Sequence, residues 1–292
     1  MALRTVEESS LKQVADAIRK HTGKEEDILF PDGFESGVDE AVKSYSDSIL
    51  DRTVKHIVMP ENVSVIDFYT FSNFKNLESI ELQDGITSIN TYAFRDCSSL
   101  KLINIPDSVT DIGTNVFYGC SSLPHITLPD SITVINSNAF RQCEKLVTCE
   151  MSEKVTKIDS QAFQYCYVLE LDKLPDSLAE LGENAFAYTR KITITEVPIG
   201  VTRILKNTFY DCQSIPSFTF HSGITEIGEN AFRNCVGMTE VTFKGTPKNI
   251  WSDVFYSSTN ITKINVPWSE GEVANAPWGA VNATINYNYT GE

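Results

Sequence analysis

Six of the seven cysteines in this 292-residue chain, Cys97, Cys120, Cys143, Cys166, Cys212 and Cys235, fall on one 23-residue spacing. Equivalent thiols stacked at the sheet distance of about 4.8 Å lie inside the Cα window for disulfides, yet parallel Cβ vectors disfavour a bridge. They are therefore expected to be free, buried, small apolar groups. Thr189 fills the same slot, which suits packing better than bridging. A second column, Asp84, Asp107, Asp130 and Asp176, could be a calcium ladder or a set of turn-starting carboxylates. Because it continues as Glu153, Ile199 and Ser222, the turn reading is preferred. The four histidines, His21, His56, His125 and His221, have no partner at metal-ligand spacing. Nucleophile elbows, phosphate loops and zinc or calcium motifs are absent from the sequence, and paired carboxylates for sugar hydrolysis would need a cleft. No catalytic residue, metal site or cofactor is expected.

A periodic aromatic explains the spacing. Phe71, Phe94, Phe117, Phe140, Phe163, Phe186, Phe209, Phe232 and Phe255 are each 23 residues apart, the signature of a stacked solenoid whose short units bury their apolar faces only against one another. Counting from Phe as position 0, position 6 is always large and apolar (Leu77, Leu100, Leu123, Leu146, Leu169, Ile192, Ile215, Met238, Ile261). Segments such as LINI at 102–105 alternate in the period of two of a half-buried strand. Pro106, Pro129, Pro175, Pro198 and Pro267 end that strand, having no N–H for the ladder. After a turn, pairs such as Val109 with Ile112 and Val155 with Ile158 predict a second short strand. The fold class is a repeat solenoid of the leucine-rich repeat type with 23-residue coils, mainly strands and turns, preceded by a short helical N-terminal module.

That module is residues 1–45, where Leu11, Val14, Ala15 and Ile18 repeat at helical spacing between Ser9 or Ser10 and Gly23. A second short helix is expected through Phe34, Val38, Ala41, Val42 and Tyr45. The solenoid is assigned to 46–266 and a C-terminal cap to 267–292, where Trp278 occupies the next periodic slot and the turn pattern is lost. No apolar run reaches the length of a membrane span and the first residues are charged. The expectation is a chain that is either trimmed or reaches its location without crossing a membrane as it is made. With 24 basic and 39 acidic residues the formal charge is −15, which disfavours nucleic acid and anionic lipid as partners.

Candidate recognition residues stand at the outward strand positions: Glu81, Leu102, Asn104, His125, Thr127, Thr148, Glu150, Leu171, Lys173, Ile194 and Glu196, continuing as Ser217, Thr219, Glu240 and Thr242. They vary while the core columns stay fixed. Variation is expected of any solvated face, but Leu102, Leu171 and Ile194 are apolar at positions expected to face water, as an interface patch would be. Tyr118, Tyr210 and Tyr256, which follow the periodic Phe, and nearby Tyr165, Tyr167 and Tyr188 offer a second surface or a shield for the Phe column.

The repeat, written INIPDSVTDIGTNVFYGCSSL and ITLPDSITVINSNAFRQCEKL, resembles the BspA-like leucine-rich repeats over residues 55–266. That resemblance implies a curved solenoid of adhesion or recognition proteins, found on bacterial surfaces and in phages, with no catalytic residues. The N-terminal SSLKQVADAIRKHTGKEEDILFPDGFESGV looks like a module of phage tail, baseplate and other virion proteins, and VPWSEGEVANAPWGAVNATINYN looks like the cap of phage-encoded repeats. The implied partners are a host cell-surface protein or glycan, other virion proteins bound through residues 1–45, or further copies in a homo-oligomer. The implied location is the virion, with the bacterial cell surface as the alternative.

Overall fold

The computed structural model describes residues 52–291, and the helices expected within residues 1–45 lie outside that range. Among the described residues there is no helix. The chain winds as a parallel β-solenoid of about 10 turns with coils of about 23 residues. Most coils carry a strand that starts at position 8, as in Ser79–Glu81, His125–Thr127, Thr148–Glu150 and Glu240–Phe243; the coils after Phe163 and Phe186 do not. A two-residue strand follows the turn, as in Ser88–Ile89, Lys157–Ile158 and Glu226–Ile227. Neighbouring coils pair in parallel with each residue opposite its equivalent, for example His56 with Ser79 and Ile126 with Cys149. Alternate side chains face in, so every inner position sits on its own copy in the next coil.

The interior is a spine of fully buried rings. Phe71 stacks on Phe94 at 5.3 Å between centroids, and Phe163 on Phe186 at 5.5 Å with planes 4° apart. Around each ring the backbone turns through an arc whose residues two before and two after Phe are often left-handed: Asn115, Asn138, Asn184, Asn207 and Asn230 on one side, Asp96, Gln142, Asp211 and Asn234 on the other. Asn and Asp tolerate that conformation better than most non-glycine residues. It aims the amides along the stack, so Phe71 N donates to Ala93 O (2.8 Å) and Phe117 N to Ala139 O (2.9 Å) in the following coil. The strand side donates the other way, Lys101 N to Glu78 O at 2.8 Å.

The cysteine column does more than fill space. All seven thiols are free and buried. Each periodic thiol points at the Phe carbonyl of the coil before, with Sγ of Cys97 3.0 Å from Phe71 O and Sγ of Cys143 3.2 Å from Phe117 O. Thr189 and Ser258 donate from the same slot to Phe163 O (3.0 Å) and Phe232 O (2.7 Å). The slot selects a small side chain with a donor, and a thiol is a weak one.

Two outward assignments are corrected. Ile194 is fully buried, and Leu171 is half-buried and packs on the core. In these coils the first inward strand residue comes one place early, so two exposed residues separate the inward pair where other coils have one: Asp172 and Lys173 before Leu174, Thr195 and Glu196 before Val197. This is the extra residue of a β-bulge, and it breaks the ladder. The strand sheet is continuous from Ser217–Phe220 to Thr284–Asn286, while Thr148–Glu150 pairs with His125–Thr127 alone.

At the C-terminal end Trp278 is fully buried, its ring 5.5 Å from Phe243 and 6.2 Å from Trp268, and Thr284–Asn286 adds a last parallel strand. In the first coil Phe74 stands where later coils hold Cys, edge-on to Phe71 at 5.5 Å.

Candidate functional site

The outward face of the strand sheet brings four of the candidate residues into one bonded patch. Ile126 and Cys149 point inward on adjacent strands, which turns His125, Thr127, Thr148 and Glu150 out as a two-by-two array. The Thr127 hydroxyl donates to Glu150 Oε2 at 3.0 Å, and His125 Nε2 lies 3.0 Å from the same hydroxyl oxygen. With that hydroxyl donating to the carboxylate, Nε2–H donates to Thr127, and Nδ1 accepts from the Thr148 hydroxyl, its other partner. Each side chain orients the next, so the array is held before any ligand arrives.

Around the patch the face changes character. One coil towards the N-terminus, Leu102 is 66% exposed. Beside it Asn104 is fixed by Leu82, donating to its carbonyl and accepting from its amide, both at 2.8 Å. Glu81, at the same outward position one coil earlier, is exposed. On the C-terminal side the bulged coils expose Lys173, which pairs with Asp176 at 3.1 Å, and Glu196, which bridges to Thr219. Further along, Glu240 binds Lys263 at 2.9 Å and Asn265 at 2.6 Å, and these two contacts lower its carboxyl pKa.

The tyrosine side is a closed ladder. Tyr69 stacks on Tyr92 and Tyr165 on Tyr188, both at 4.7 Å. Arg141 lies between Tyr118 and Tyr165 at 5.6 and 5.9 Å from the ring centres, and Arg233 between Tyr210 and Tyr256 at 5.8 and 4.6 Å. Ring faces and guanidinium planes are thus spent on one another along the stack. Sequence reasoning noticed the tyrosines but not the arginines between them.

Charges off the strand face are paired between coils. Glu78 bridges Lys55 (3.3 Å) and Lys101 (2.7 Å), whose hydrogen bonds and charge hold its carboxyl below the usual range. Arg203 meets Glu226 at 2.7 Å and Lys206 meets Glu229 at 2.6 Å. In the turn column Asp130 pairs with Lys154 at 3.1 Å, and the neighbouring Ser108 and Ser177 donate to Ile86 O and Val155 O of the previous coil. Among the described residues no three of His, Cys, Asp and Glu converge to hold a metal ion, and no helix is long and apolar enough to cross a membrane.

The profile of the BspA type leucine rich repeat region matches residues 50–170 and 169–276. A leucine rich cell surface protein from Faecalibacterium prausnitzii A2-165 superposes with a TM-score of 0.51 at 21% identity, covering 82% of this chain and 80% of its own. A leucine-rich repeat protein from Eubacterium ventriosum gives 0.50 at 16% identity, covering 82% and 74%. These likenesses establish the fold. No significant match was found among curated proteins.

Proposed function

Because the chain belongs to the BspA-type leucine-rich repeat family, we propose that it is a non-enzymatic recognition scaffold, carried on a phage particle through residues 1–45, that presents its strand face for adhesion or protein contact. One observation carries the reading: inner columns repeat while the outward columns change from coil to coil, and at their centre His125, Thr127, Thr148 and Glu150 are locked together beside exposed Leu102. A rigid spine beneath that patch leaves little ordering entropy to be lost on binding. Many copies on a particle convert weak contacts into firm attachment. The formal charge of −15 favours a basic or neutral partner.

A second reading, a bacterial cell-surface adhesin, draws on the description of the Faecalibacterium protein as a cell surface protein. Antibody labelling separates the two: label on purified particles supports the first, and label confined to the bacterial envelope replaces it with the second. For the face itself, Leu102→Asp and His125→Ala are expected to abolish binding of the purified chain to host cells at unchanged Tm. Full binding by both variants would move the contact off the strand face.

A further inference from the structure

The stack finishes on a strand with one bare side. Among the described residues, Thr284–Asn286 pairs with Lys263–Asn265 alone. Thr284 N donates to Thr262 O at 2.9 Å and Asn286 O accepts from Val266 N at 3.0 Å, so both residues spend backbone groups on the coil before. Ile285 alternates with them. Its N–H and C=O therefore point away from the stack, where neither has a partner among the described residues.

Natural edge strands are commonly blunted by Lys, by Pro or by a bulge. This one has none of these: it pairs in register over its three residues, and no charged side chain occurs from Val273 to Gly291 in a chain with 24 basic and 39 acidic residues. On the neighbouring strands Lys263 and Glu240 are already paired with each other at 2.9 Å. Ala283, Ile285 and Tyr287 form a half-buried row against the core, and Val281 just before them is 77% exposed.

We propose that two copies of the chain join tail to tail, with Thr284–Asn286 of one running antiparallel to the same strand of the other about a two-fold axis at Ile285. Ile285 of each copy then donates its N–H to the carbonyl of the other, the doubly bonded pair of an antiparallel ladder. On the inner face Ala283 stands opposite Tyr287, small against large, and Ile285 meets itself. On the outer face the Thr284 hydroxyl stands opposite Asn286, whose Nδ2 is held by Asn265 Oδ1 at 2.8 Å while its own Oδ1 is left to accept. Symmetry supplies each of these matches twice. With a formal charge of −15 on each copy, the uncharged end is also where two copies meet with least repulsion. The two-fold closes after two copies, so no filament follows. A strand of another protein is the competing occupant. The inference is independent of what the strand face binds, and the dimer would carry two such faces on one continuous sheet.

Sedimentation equilibrium and residue-by-residue amide exchange on the full chain test this. Over about a hundredfold range of concentration the mass is expected to rise from one chain to two, and exchange of the Ile285 amide to slow at least about tenfold as the dimer forms. Thr284→Glu, at an exposed position, sets a carboxylate on each side of the axis. It is expected to weaken the dimer at least about tenfold, with the Tm at the monomer end of the range unchanged. A mass of one chain throughout that range overturns the proposal. So does a dimer in which Ile285 exchanges as fast as in the monomer, which would place the contact on another surface, or protection of Ile285 that does not change with concentration.

Discussion

Raising the pH should unfold this protein through its thiols. Burial pushes the pKa of Cys120, Cys143, Cys149, Cys166, Cys212 and Cys235 upward, Cys149 to about 12 with the Glu150 charge as a further cause. In the unfolded chain each ionises near the ordinary value of 9.0. The unfolded state alone therefore loses protons between that pH and the folded pKa. A group raised in this way contributes its full stability below the unfolded pKa and loses it as pH climbs towards the folded one. Each thiol removes ~1.4 kcal/mol per pH unit once well above 9, so six together remove about 8 kcal/mol by pH 10. That rivals a typical domain stability of roughly 5–15 kcal/mol. The comparison is Cys120→Thr, Cys143→Thr and Cys166→Thr combined, because Thr189 already occupies an equivalent slot and donates to Phe163 O. Urea unfolding at pH 8, 9 and 10 under reducing conditions should show the triple variant losing about half as much stability as the parent from this source. Tyrosines and lysines titrate in both proteins and cancel in the difference. Equal losses in the two proteins would refute the claim that the thiol column stays protonated inside the fold.

Phe163→Ala should cost about 3–5 kcal/mol by opening a cavity in the spine, and Glu150→Ala less than about 1 kcal/mol; equal urea midpoints would invert the inside-outside assignment. Glu78 is depressed by Lys101 and Lys55, so the stability gap between the parent and Glu78→Gln should be fully present above its ordinary pKa of 4.5 and close as pH falls below it; a constant gap from pH 7 to 3 would contradict the pairing. Gly182→Ala would place a Cβ 2.3 Å from Ser160 N of the preceding coil, and should cost about 1–3 kcal/mol by thermal melting; an unchanged Tm would mean that the coils separate there without penalty.

The spine was legible because three columns, the Phe, the apolar residue six places on and the thiol three places on, keep their spacing through almost every coil. What the spacing hid was a shift with no change in coil length. Leu171 and Ile194 look outward when positions are counted from Phe, and only their neighbours betray the bulge: Asp172 and Thr195 stand where other coils hold Ile80, Ile103, Ile126 or Phe218. A polar residue in an inner slot was the available signal. The left-handed arc also had one, in the recurrence of Asn115, Asn138, Asn184, Asn207 and Asn230 two places before Phe. The donor role of the thiols had none in the cysteines themselves, since bond and packing ask for the same small side chain, but Thr189 and Ser258 in that slot pointed to it.

The division of labour around each coil decides where a partner can land. The arc spends its amides on the next coil, its ring faces on neighbouring rings and its guanidinium planes between them, so a ligand there would have to break the contacts that hold the stack together. The strand sheet completes its backbone bonds within the sheet and leaves its outward side chains unconstrained by packing, which lets them differ from coil to coil at little cost to the fold. The bulges sharpen this. They interrupt the ladder between Thr148–Glu150 and Ser217–Phe220, separating the His125 patch from the Glu240, Lys263 and Asn265 cluster. Two polar surfaces on one rigid body, divided by two irregular coils, can engage separate features of one partner, and substitutions at His125 and at Glu240 should then weaken binding independently.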